Sequence, residues 1–162
     1  MNKYQPHLYL IPEDDADREL ANGFVSHSAV DDRRIQVKPS ASGWRKVFDR
    51  FSDEYVHTLR NYELCHVVLL IDFDFHFAER KNEFLDAITD DYKSRVFVVG
   101  AKSNPEDLKR ELQKSFEQIG ADLAADCDRG TSDCWTREQL QHNESELKRL
   151  VETVRPFVLK SA

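Results

Sequence analysis

The chain has 162 residues, 40% of them hydrophobic and 33% charged, with a net charge of −7. That size suits one domain with a sizeable core, and the negative balance argues against a protein that coats nucleic acid through its own basic surface. No stretch approaches the roughly 20 apolar residues of a bilayer span, and the opening Met1-Asn2-Lys3-Tyr4-Gln5-Pro6 lacks the apolar core of a secretion signal, so a soluble cytoplasmic protein with no membrane contact is expected.

Residues 7–11 (HLYLI) read as a strand, and four acids follow within five residues: Glu13, Asp14, Asp15 and Asp17. Residues 15–27 fit a helix with Ala16, Leu20 and Phe24 on a shared side, and 34–38 (RIQVK) alternate like a more exposed strand. Residues 40–43 form a loop in which Ser42 is a candidate cap. Trp44 to Asn61 is the clearest amphipathic helix, with apolar residues at three- and four-residue steps. Val67 to Ile71 is continuously apolar, as a strand covered on both faces should be, and it runs into "IDFDF".

Glu79 to Ile88 fits another helix, and residues 95–100 (RVFVVG) fit a second buried strand. Asn104 is a plausible cap for a helix that has Pro105 at its first position and acids in its first turn. That helix is expected to run to about Ile119 and stop at Gly120. Residues 126–135 read as a loop. Asn143 with Glu146 resembles a capping box opening the last helix, which should end near Arg155-Pro156 before a short final strand at 157–160. Alternating strands and helices predict a single α/β domain. Its core is an open, mostly parallel, doubly wound Rossmann-like sheet with helices on both faces, followed by a helical extension over about 120–162.

Sheets of this kind place function at the carboxyl ends of strands, where the strand order switches. The acids after the first strand should then face Asp72 and Asp74 after the third. In extended chain, Asp72 and Asp74 share a side. Glu13 and Asp17, four apart, share a face if a helix begins near Asp14. Such a pocket of carboxylates suits a hard cation, Mg²⁺ or Mn²⁺, and contains no histidine that would favour zinc. Acids at a helix start also have a plain structural use, so it is the pairing of the two clusters that points to metal.

Lys102, just past the second buried strand, falls on the same edge, where it could neutralise a phosphate. Lys38, Arg45 and Lys46 flank the 40–43 loop and are candidates for guiding a nucleic-acid backbone. His76 follows the acid pair closely enough to be a proton shuttle. Phe73, Phe75 and Phe77 read as core packing and not as a base-stacking platform. Cys127, Cys134 and His142 lack the tight spacing and the fourth ligand of a zinc site, and an odd cysteine count does not suggest a disulfide framework.

A strand followed by Glu13-x₃-Asp17, and a later buried strand ending in Asp72-x-Asp74, resembles the TOPRIM domain over roughly residues 7–110. This family includes topoisomerases, primases, 5S ribosomal RNA maturases and the overcoming-lysogenization-defect nucleases. The resemblance implies Mg²⁺-dependent cleavage or processing of nucleic acid, DNA or RNA. Glu13 would be a metal ligand or general acid/base, and Asp17, Asp72 and Asp74 would hold Mg²⁺. Many members have Gly after the Glu, where this chain has Asp14. By analogy with the ATPase-fused nucleases, an ATPase partner protein is expected.

The first strand and its acids are also similar to those of a receiver domain, in which Asp72 would be the phosphoacceptor. That family expects Ser/Thr-Ala after the 95–100 strand and a Lys-Pro after a later one, and neither is present. A haloacid-dehalogenase-type phosphatase fits less well, since its Asp-x-Asp follows the first strand. A non-enzymatic interaction domain docking through the 44–59 and 144–154 helices is the remaining alternative.

Overall fold

A computed structural model describes residues 1–161. Four strands form one parallel sheet in the order β2-β1-β3-β4: β1 (His7–Pro12), β2 (Ile35–Val37), β3 (Cys65–Leu70) and β4 (Val96–Val99). Ile11 lies opposite Leu69, and Leu70 opposite Val99. The order reverses between β1 and β3, because β2 is laid down on one side of β1 and β3 on the other. That is the switch point at which a crevice opens beyond the carboxyl ends.

Alternation along the strands divides the core into two layers. Tyr9, Ile11, Val67, Leu69 and Ile71 face one side. There they meet a long helix built from α2 (Trp44–Arg50), a π-helical turn (Phe51–Tyr55) and α3 (Val56–Asn61), together with α4 (Phe77–Ala87). Leu8, Leu10, Val68, Phe97 and Val99 face the other side. They are covered by α1 (Asp15–Val25), α6 (Phe116–Arg129), α7 (Glu144–Thr153) and α8 (Arg155–Val158). The sheet is therefore the expected open α/β sheet, parallel throughout and wound on both faces. No helix among the described residues is long and apolar enough to cross a membrane.

Several local expectations are corrected. The helix begun at Pro105 is α5 (Pro105–Leu112), and it ends eight residues later with Gln113 at φ 53. A new helix, α6, then starts behind Ser115, whose hydroxyl caps Gln118 N–H while the Gln118 side chain returns to Ser115 N–H. Gly120 stops nothing; it lies inside α6, where a Cβ would stand 2.0 Å from the Leu20 carbonyl oxygen of α1. Gly23 is its counterpart, with the Glu117 carbonyl 2.2 Å from its would-be Cβ. The two glycines let α1 and α6 touch backbone to backbone.

Residues 126–129, expected in a loop, are the last turn of α6. Residues 155–158, which include the start of the expected final strand, are helical; only Leu159 makes a strand-like bridge, to Val30. The side chain of Asn143 does not cap α7 but holds both the N–H and the carbonyl of Gly100. Ser42 does not cap α2 either; it sits at φ 68, and Gly43 takes the cap position.

Candidate metal centre

Pro12 is the last residue of β1, and Glu13 continues its ladder by donating its N–H to the Leu70 carbonyl. The Glu13 carbonyl accepts from Ser42 N–H at 2.7 Å, tying the start of α2 to this edge. Asp14 is extended and caps α1, its carboxylate accepting the Asp17 N–H at 2.9 Å. Asp14 thus has a structural task. It also places Asp17 one turn into α1, under Glu13.

Beyond β3 the chain stays paired with the segment after β4: Ile71 N–H bonds to Val99 and Phe73 N–H to Ala101. Gly100 permits this approach, since a Cβ there would lie 1.7 Å from the Ile71 carbonyl oxygen. Asp72 then projects toward β1, and its N–H donates to Glu13 Oε2 at 2.7 Å. The result is a triad: Glu13, Asp17 and Asp72 each present a carboxylate oxygen within 4.8 Å of the others.

Asp17 and Asp72 are 4% and 8% exposed, and Asp17 Oδ2 and Asp72 Oδ1 have no hydrogen-bond partner. Burial raises all three acids. Asp17 is held well above the ordinary carboxylate range by burial and then by the charge of Asp72. Asp72 is pushed up to about 8 by burial and then by Glu13. Glu13 is raised by burial, an effect that the hydrogen bond from Asp72 N–H opposes. Unpaired buried oxygens are costly, and a divalent cation would satisfy them and remove the mutual repulsion. Three hard oxygen donors fit Mg²⁺ or Mn²⁺, which keep several waters in their shell. Among the described residues this is the only such cluster, and Cys127, Cys134 and His142 form none. The His142 Nε2 instead meets the Gly100 carbonyl at 2.8 Å.

Asp74 lies outside the triad. The expectation that it shares a side with Asp72 assumes extended chain, but Asp74 and Phe75 have φ of 44 and 64. The turn sends the Asp74 carboxylate to Arg80 Nη2 at 2.7 Å. Arg80 also donates to the Asp72 carbonyl, and its guanidinium lies 5.0 Å from the Trp44 ring centre. Its charge opposes the upward shifts of Glu13 and Asp72, so Arg80, and not Lys102, is the cation that bears on the triad. Nothing in the sequence singled it out beyond its being the first Arg or Lys after Asp-x-Asp.

Lys102 is on the same edge, its carbonyl accepting from Phe75 N–H, but its ammonium pairs with Glu138 at 3.3 Å. Lys38, next after β2, bonds Gln36 and lies 4.6 Å over the Tyr9 ring. Arg45 and Lys46 are exposed in the first turn of α2, with Arg45 stacked on Trp44 at 4.5 Å. His76 is exposed at the start of α4 and makes no side-chain cap. Phe73 is fully buried and packs against Phe77, as expected, whereas Phe75 is 69% exposed.

Comparison of the chain with family models, with curated proteins and with solved structures found no match.

Proposed function

We propose that this protein is a Mg²⁺- or Mn²⁺-dependent enzyme that cleaves or processes phosphodiester bonds in nucleic acid, with a TOPRIM-like site. The observation that carries the proposal is the convergence of Glu13, Asp17 and Asp72 at the switch point with two buried oxygens unpartnered. Buried carboxylates shifted upward by burial and by one another's charge are a common mark of functional sites. Bound metal supplies a polarised phosphate oxygen and water made acidic enough to attack at neutral pH.

The protein's own groups do the rest. Asp17 and Asp72, both buried, would be the fixed metal ligands. Glu13 is half-buried and the most accessible of the three, so it is the group placed to hold or move a proton at the attacking or leaving oxygen. Arg80 anchors the Asp72 carbonyl and the Asp74 carboxylate, keeping the loop that carries Asp72 in register. Asp74 is then a support and not a first ligand. Lys102 reaches a phosphate only after leaving Glu138. Arg45, Lys46 and Lys38 would guide the strand backbone.

With a net charge of −7 the domain grips nucleic acid weakly by itself, in keeping with an ATPase partner that delivers substrate and with action in the cytoplasm. The test is cleavage of end-labelled DNA and RNA with Mn²⁺ or with EDTA. Activity that needs the metal and is abolished by Glu13→Gln and Asp72→Asn is the expected result; activity indifferent to both substitutions overturns it.

One observation favours a second reading, a receiver-like phosphoacceptor: Asp72 lies two residues beyond the third strand of a 2-1-3-4 sheet, beside acids that follow the first. Its low exposure weighs against attack on a phosphodonor. Beryllofluoride trapping on Asp72 separates the two.

A further inference from the structure

Three aromatic residues alternate along the segment after β3, and only the middle one faces solvent. Phe73 is buried, and Phe77 packs edge-on against Phe73 and His142. Phe75 is 69% exposed. A single exposed aromatic is ordinary, but this one does not hang from a loose loop. Asp74 N–H bonds Ser103, Phe75 N–H bonds Lys102 and His76 N–H bonds Phe73, at 3.0, 2.8 and 2.7 Å. Those bonds hold two successive non-glycine residues at positive φ, a conformation that L side chains resist. An unfavourable backbone conformation is thus maintained, and the ring it carries is presented to water instead of the core.

The surroundings are the second observation. Phe75 stands three residues beyond Asp72 of the triad. Its neighbour Asp74 is clasped by Arg80, which in turn lies against Trp44, and Arg45 stacks on the same indole. Arg45 and Lys46 are exposed and form no ion pair among the described residues. Trp44, Arg45 and Arg80 thus form a cation–aromatic cluster that is tied, through Asp74, to the residue before Phe75. That combination tracks a phosphate backbone and receives base faces.

We propose that Phe75 is a stacking contact for an unpaired nucleobase beside the reacting phosphate, which makes single-stranded nucleic acid the substrate class. The inference rests on the metal-dependent reading given above. It selects single strands because a base in a duplex keeps both faces against its neighbours, whereas an unpaired base offers one to an aromatic ring.

The experiment measures fluorescence anisotropy of a fluorescein-labelled mixed-sequence oligodeoxynucleotide, single-stranded or annealed to its complement. Ca²⁺ replaces Mn²⁺ so that the strand is not cut. Wild type, Phe75→Ala and Phe75→Tyr are compared, and Mn²⁺ affinity and melting temperature are recorded for each. The expected result is single-strand binding weakened roughly 5- to 150-fold in Phe75→Ala, retained in Phe75→Tyr, with duplex binding and Mn²⁺ affinity unchanged. Wild-type affinity for the single strand in Phe75→Ala overturns the stacking role while leaving the metal-dependent reading intact. Equal losses on single strand and duplex overturn it too. A wild type that binds Mn²⁺ but neither form of the oligonucleotide overturns both the stacking role and the nucleic-acid reading.

Discussion

Replacing Asp72 with Asn keeps the shape of the side chain and removes its charge, so it isolates the electrostatic cost of the triad. Asp72 is pushed up to about 8 in the folded protein, chiefly by burial, while an unfolded Asp titrates near 4. The folded state therefore holds this proton more tightly than the unfolded state. Without metal, the stability is fully present below the unfolded value and is lost as pH rises toward the folded one.

Each pH unit in that window costs about 1.4 kcal/mol per retained proton. Between about pH 5.5 and 7.5 wild type should lose roughly 2–3 kcal/mol through Asp72 that Asp72→Asn does not lose. For a chain of this size that is roughly 5–10 °C in Tm. The assay is thermal unfolding in EDTA at the two pH values, repeated with saturating Mn²⁺. The variant's advantage should widen with pH in EDTA, and Mn²⁺ should raise the Tm of wild type alone. Parallel pH curves for the two proteins, or a variant less stable than wild type in EDTA at the higher pH, would refute the idea that burial holds these acids protonated.

Asp14 combines a useful cap with an unhelpful charge; Asp14→Ser keeps the cap, so in EDTA it should melt above Asp14→Ala by about 1 kcal/mol, or roughly 2–4 °C. Gly120→Ala drives a methyl into the Leu20 carbonyl and should cost at least about 3 kcal/mol, seen as a loss of Tm without a change in Mn²⁺ affinity per folded molecule. Phe75→Gly relieves the positive-φ strain and should raise stability by up to about 1 kcal/mol, read from urea midpoints, while weakening single-strand binding as Phe75→Ala does.

The strands were legible because a sheet covered on both faces needs uninterrupted apolar runs, and Val67–Ile71 and Val96–Val99 supply them. The helix start at Asn104-Pro105 was legible because its cap chemistry is local, and the structure shows Asn104 accepting the Asp107 N–H. The meeting of Glu13 with Asp72 followed from topology alone, since parallel strands bring their carboxyl ends to one edge. What could not be read depended on contacts between distant segments. Gly120 looks like a helix stop until α1 is seen lying against it, and Asn143 looks like a cap until Gly100 is seen competing for its side chain. Alternation put Asp74 beside Asp72, but the backbone leaves the extended region at that residue, giving Asp74 to Arg80 and Phe75 to solvent.

The most direct test of the metal centre is a calorimetric titration of Mn²⁺ into wild type, Asp17→Asn, Asp72→Asn and Asp74→Asn at matched salt near neutral pH. Wild type and Asp74→Asn should bind with similar affinity and release protons as they do so, because acids held protonated must ionise to become ligands. Asp17→Asn and Asp72→Asn should show no binding. A wild type that gives no heat with Mn²⁺, or an Asp72→Asn that binds as wild type does, would contradict a metal centre built on Glu13, Asp17 and Asp72.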